Sequence, residues 1–154
     1  MSALIVYESH FGSNAIIARA IAAELDGDAV SIVDAPEVIG ADVDLVVAGG
    51  PTHALALSSA ATRAAARAAG GAPEMSGLRD WLRTAQLRED QRIALFTTHS
   101  SPLSGSAARA GRRLLTRRRL DVVAIGEFIV TGQAGPLAAG ELQRASAWAR
   151  ELQN

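Results

Sequence analysis

Five short apolar segments punctuate the chain, at Ala3 to Tyr7, Ala29 to Val33, Asp44 to Gly49, Arg92 to Thr97 and Asp121 to Val130. Three of them are near-continuous runs of Val, Ile, Leu and Ala, the pattern of strands covered on both faces, and they predict a parallel sheet. Between the segments the apolar period lengthens. Ile16, Ile17, Ala20, Ile21 and Leu25 predict an amphipathic helix after the first strand, and Leu142, Ala145, Trp148, Ala149 and Leu152 predict another at the end of the chain. The Ala-rich stretch Ser58 to Ala69 favours a helix and stops at Gly70-Gly71, and a shorter helix follows through Leu78, Trp81 and Leu82. Ser106 to Arg119 supplies one more, with Leu114 and Leu115 inward. The link Asp34 to Ala41 contains Pro36 and is too short for a full helix, so a loop or single turn is expected. Trp81 and Trp148 are assigned to the core, and Gly126 inside the fifth strand is expected to mark a bulge.

Alternating strands and helices joined by right-handed crossovers make a three-layer, doubly wound α/β sheet of five parallel strands. Its length of 154 residues fits one core, so residues 1–154 are read as a single domain. Hydrophobic residues at 49% and charged residues at 20% argue against disorder, and no apolar run reaches the ~18 residues of a membrane span. Met1-Ser2-Ala3-Leu4 leads into a strand without a basic region or cleavage signal, so a cytoplasmic location and no membrane partner are expected.

There is no Cys, which removes disulfides and thiolate metal sites, and no Lys, which removes a Walker lysine, a Schiff base and an amine nucleophile. The net charge of -1 conceals a polarity: residues 1–60 hold one Arg against eight acids, and residues 61–154 hold fourteen Arg against eight. The stretch Arg112, Arg113, Arg117, Arg118 and Arg119 is either a solvated helix face or a dock for an acidic partner. Nucleic acid is not expected, for want of interleaved aromatics or a net positive charge.

In a doubly wound sheet, ligands sit beyond the carboxyl ends of the strands at the topological switch point, which directs attention to the loops after strands one, three and four. The first is Glu8-Ser9-His10-Phe11-Gly12-Ser13-Asn14. Hydroxyls, an amide and a glycine at a helix start form either an anion site or a simple cap and turn. The second is Gly49-Gly50-Pro51-Thr52-His53-Ala54, and the third is Thr97-Thr98-His99-Ser100-Ser101-Pro102. The three histidines of the chain, His10, His53 and His99, fall one in each loop. Glu8 is expected to be a solvated rim charge, since a carboxylate beside a phosphate is unfavourable. A P-loop is excluded by the absence of Lys, and a dinucleotide-binding Rossmann domain by the absence of Gly-x-Gly-x-x-Gly after strand one. A phosphoacceptor receiver would end its third strand in Asp, where this one ends in Gly49-Gly50.

These residues resemble those of the flavodoxins. "LIVYESHFGSN" is similar to the first strand and phosphate loop of that family, and "DLVVAGGPTH" to its third strand and second flavin loop. Ser9 matches the family's first hydroxyl and Gly12 its glycine, whereas Ser13 stands where Asn is usual and Asn14 where Thr is usual. The resemblance covers the whole chain and implies the strand order 2-1-3-4-5 with flavin mononucleotide (FMN) at the switch point. It implies that Ser9, His10, Phe11, Gly12, Ser13, Asn14, Pro51, Thr52, His53, Ala54, Thr97, Thr98 and His99 hold that cofactor. His53 takes a place where many flavodoxins stack an aromatic ring on the flavin, and His99 is the one ring of the third loop. The implied function is electron transfer with a redox partner protein, without catalytic residues or a metal of its own. Two alternatives stay open: an NAD(P)H-dependent flavin or quinone reductase, with Ala54 to Ser59 bordering a substrate pocket, and an interaction module that has lost FMN.

Overall fold

A computed structural model describes residues 1–53, 57–70, 77–101, 103, 105–132 and 134–154. The expected strands and helices follow in turn: β1 (Ala3–Tyr7), α1 (Ser13–Leu25), β2 (Asp28–Ser31), β3 (Leu45–Pro51), α2 (Ala60–Ala68), α3 (Leu78–Thr84), β4 (Arg92–His99), α4 (Ala107–Arg117), β5 (Val122–Ile129) and α5 (Glu141–Glu151). The five strands pair in parallel in the order β2-β1-β3-β4-β5, so the fold is the predicted α/β doubly wound sheet. Among the described residues, no helix is long and apolar enough to cross a membrane.

The continuous apolar runs arise because successive residues of the central strands enter different cores. Ile5, Val47, Ala94 and Phe96 face α1 and α5, where Ile17, Ile21, Ala145 and Ala149 meet them. Val6, Val46, Ala48, Ile93 and Leu95 face the opposite layer, packing with Trp81 and Leu82 of α3 and Leu115 of α4. Both faces being covered, no strand position in the middle of the sheet has reason to be polar.

Several local expectations are corrected. β2 is an edge strand that ends at Ser31, because Ile32 turns inward to open a 3-10 turn, Ile32–Asp34, and leaves Val33 exposed. The link beyond it is held by a bridge between Val38 and Gln86 and by Trp81, whose Nε1 donates to the Pro36 carbonyl. Ile16 and Leu142 are not inward. The buried stripe of α1 runs through Asn14, Ile17, Ala18, Ile21 and Leu25, and Ile16 lies off it, 46% exposed. Leu142 likewise lies off the Ala145–Ala149 stripe of α5.

Trp148 is only half-buried, standing edge-on to Phe128 with ring centroids 6.0 Å apart. Gly126 does not form a bulge: the register slips at Val123, between the pairs Ile93–Val122 and Ala94–Ala124. Gly126 instead makes room for rings, since a Cβ there would lie 3.0 Å from both Phe128 and Trp148. The basic end of α4 is partly tied down, with Arg118 donating to the carbonyls of Leu82 and Ala85.

Candidate functional site

The site is assembled where β1, β3 and β4 end. β3 and β4 run two residues further than the apolar pattern indicated, to Pro51 and His99, because the ladder continues through Gly50–Thr97 and Pro51–Thr98. Gly49 permits this layer to close, since a Cβ there would meet the Phe96 ring at 2.3 Å. Glu8 extends β1 by one bond, its N–H donating to the Gly49 carbonyl at 2.9 Å.

Glu8 is not a rim charge; it is 1% exposed. One carboxylate oxygen accepts from Ser58 Oγ (2.7 Å) and from the Leu78 N–H (2.8 Å). The other accepts from His10 Nε2 at 2.6 Å. Burial opposes ionisation, but the His10, Ser58 and Leu78 donors together outweigh it and hold the carboxyl below its usual range. Arg63, itself buried, donates to Ser58 Oγ and lies 3.6 Å from Asp80. Two of the three donors, Ser58 and Leu78, come from 50 and 70 residues downstream, which is why the chain around Glu8 does not announce its burial.

An ionised carboxylate can only accept, so His10 Nε2 carries the hydrogen and Nδ1 faces the other way. His10 is 5% exposed, and its Nδ1 is buried with no hydrogen-bond partner among the described residues. Its ring centroid lies 5.1 Å from that of His53, the planes tilted by 39°. His53 is half-buried, with Nδ1 3.1 Å from Thr62 Oγ1 in the capping box that starts α2. Burial, reinforced by His10 and Arg63 and opposed by Glu8, lowers the His53 pKa and favours the neutral ring. One potential ligand atom each from Glu8, His10 and His53 lie within 4.8 Å of one another.

The loop from Ser9 to Asn14 is compact. Gly12 sits at φ 100°, a left-handed conformation suited to glycine, with its N–H on Ser9 Oγ at 3.2 Å. The N-cap residue, Gly12, has no side chain to cap α1, and Ser13 and Asn14 of the first turn line the cavity, so a helix start is presented there to an anion. Asn14 donates through Nδ2 to Thr98 Oγ1 (2.9 Å), leaving Oδ1 buried without a partner among the described residues.

Thr97 is wholly buried and donates to the Gly50 carbonyl at 2.8 Å. Its oxygen therefore accepts from Thr52, whose hydroxyl also receives the Ala107 N–H that opens α4. His99 Nδ1 donates to the Gly105 carbonyl at 2.9 Å.

A cavity of about 350 Å³ opens between these loops. Of the predicted residues, His10, Phe11, Ser13, Asn14, Pro51, Thr52, His53, Thr98 and His99 line it. Ser9 and Gly12 shape the loop from behind, Thr97 braces Thr52 from beneath, and Ala54 lies outside the described residues, as does Pro102. Walls beyond the implied cofactor set come from Ser100 of the third loop, from Thr62, Ala65 and Ala66 of α2, and from Val130 and Gly132 beyond β5. The carboxyl-end rule extends to β5 and signals the last two; the α2 wall has no local signature. A second concavity, about 530 Å³, adjoins it and includes the exposed Ile16 and Leu142.

No protein-family profile matches this sequence, and no curated relative matches it. Solved structures do. Oxidised flavodoxin 1 of Bacillus cereus superposes with a TM-score of 0.68 at 15% identity, over 99% of this chain and 97% of that one. The flavodoxin of Streptococcus pneumoniae TIGR4 gives 0.68 at 13% identity, over 99% and 98%. A Fusobacterium nucleatum flavodoxin bound to flavin mononucleotide gives 0.62 at 13%, over 99% and 96%. The chain therefore has the flavodoxin-like fold, with its strand order and its cavity at the switch point.

Proposed function

We propose that this chain binds FMN in the switch-point cavity and passes electrons to and from a redox partner protein. The observation that carries the reading is the uncapped start of α1 opening into the same cavity as the polar ends of β3 and β4. The residues fit the group by the chemistry of their donors. The first-turn N–H groups of α1 and the hydroxyl of Ser13, which lines the cavity, suit a phosphate. The orphaned Oδ1 of Asn14 is an acceptor for a ribityl hydroxyl, which would give that buried atom its missing partner. Pro51, His53 and His99 border the space left for the ring, a narrower aromatic surface than a Trp or Tyr offers. When bound, FMN supplies one- and two-electron redox chemistry that no side chain here has.

Under this reading the protein's part is to hold and shield. Thr97 and Thr52 fix the β3 loop against α4, and the Thr98–Asn14 bond ties the third loop to the first. The test is a titration of the purified chain with FMN followed by absorbance and fluorescence. Saturable one-to-one binding with quenched flavin emission is expected; no binding at tens of micromolar would leave a flavodoxin-like module without the cofactor.

A further inference from the structure

We propose that His10 and His53 form a binding site for a divalent transition metal of the zinc class, with Glu8 as the outer carboxylate that orients His10. The proposal rests on two ring nitrogens rather than on the α1 terminus, and because both rings line the cavity proposed for FMN, it concerns the FMN-free chain.

Metal-binding histidines characteristically donate their second ring N–H to a carboxylate or another acceptor, which fixes the ring and makes the free nitrogen a better ligand. His10 has that arrangement. Nε2 is committed to Glu8 at 2.6 Å, Glu8 is in turn fixed by Ser58 and Leu78, and Nδ1 is left buried without a partner among the described residues, on a ring that lines the cavity. His53 repeats it in lighter form: Nδ1 is engaged by Thr62, so Nε2 is the nitrogen left to coordinate. The two rings are 5.1 Å apart, and one potential ligand atom from each, with one from Glu8, fall within 4.8 Å. Metal–nitrogen bonds of about 2.0–2.1 Å in a tetrahedron place ligands roughly 3.4 Å apart, so rings with centroids 5.1 Å apart close on one ion by side-chain rotation. His53, half-buried and held by a single side-chain bond, is the ring with room to make it.

The ligand set selects the metal. Two imidazoles without thiolate or a carboxylate cage suit Zn²⁺, Co²⁺ and Ni²⁺ and disfavour Mg²⁺ and Ca²⁺. Water fills the remaining positions on the cavity side.

The experiment is calorimetric titration of the FMN-free full chain with Zn²⁺, paired with Co²⁺ titration read by visible absorption. The expected result is one ion per chain, with Mg²⁺ giving no heat. His53→Gln should weaken binding at least 10-fold, and so should His10→Gln, while His99→Gln, in the same cavity, leaves it unchanged. Glu8→Gln should weaken it ~10- to 100-fold and shift the Co²⁺ spectrum, because His10 becomes a poorer ligand; a purely structural role would leave the spectrum of the bound fraction unmoved. Circular dichroism confirms that each variant is folded, and His53→Gln, nearest the rim, is decisive if His10→Gln does not fold. Absence of stoichiometric Zn²⁺ binding, or equal losses in His53→Gln and His99→Gln, overturns the proposal. FMN titration of the same preparations reports separately on the flavin, so either reading can fail alone.

Discussion

Two carboxylates lie buried near the carboxyl end of the sheet, and their networks end differently. Glu141, at the start of α5, accepts the Ile129 N–H at 2.7 Å and Arg144 at 2.6 Å. Arg144 goes on to the Glu127 carbonyl and lies over the Phe128 ring, 5.5 Å from its centroid. Its named partners all belong to β5 and α5, and the effect is to staple α5 to the sheet. Glu8 is the more deeply buried and accepts three hydrogen bonds, but its chain of contacts runs through His10 and stops at a nitrogen on a cavity wall. Burial of a charge therefore does not separate scaffold from site; the unclosed end of the network does.

The comparison can be broken by treating the two residues alike. Glu8→Gln removes a buried charge that accepts three hydrogen bonds, and a stability loss of about 2–3 kcal/mol is expected, read as a melting temperature lower by roughly 4–12 °C. At the open end the consequence should extend to ligand binding, and the loop beside it sharpens the contrast. Gly12→Val puts a branched side chain at a left-handed position beside the first-turn N–H groups proposed to hold the phosphate, and FMN affinity should fall by at least ~2 kcal/mol, or about 30-fold, in a chain that still folds. Fluorescence titration measures it. Glu141→Gln should lose ~1–2 kcal/mol in a urea melt and leave FMN affinity unchanged, because its partners do not line the cavity.

The smallest expected effect is common to both. Glu8 and Glu141 are each lowered below the ordinary carboxylate value, burial opposing and hydrogen-bond donors prevailing. Their ionised forms thus favour the folded chain at a pH above the unfolded carboxylate value near 4.3, and that stabilisation is lost as pH falls below it through the folded-state values. As pH falls from about 5 to about 3, the wild type should lose more stability than the Glu8→Gln, Glu141→Gln double variant. Parallel curves would mean that neither carboxylate is held in its charged form.

How much of this was legible in the sequence follows the range of the interactions. The runs around Val6, Val47 and Leu95 identified doubly covered strands because each residue, whichever way it points, meets a core. The three histidine-bearing loops were legible because their place at strand ends is a property of topology. Ile16 and Leu142 misled because apolar spacing fixes a helix but not the width of its buried stripe. Gly126 misled because its small size serves two rings, one of them 22 residues away on α5. Glu8 was invisible as a buried group because its partners Ser58 and Leu78 arrive from α2's entry and α3, long after it in the chain.

In the proposed function the start of α1 receives the phosphate of FMN. Parallel titrations of the purified chain with FMN and riboflavin test it most directly, since the two ligands share the ring and the ribityl chain and differ only in that phosphate. Several charge-assisted bonds to first-turn N–H groups predict at least ~3 kcal/mol in favour of FMN, a preference of about 100-fold or more. Equal affinity for riboflavin would contradict the account and place the ligand elsewhere.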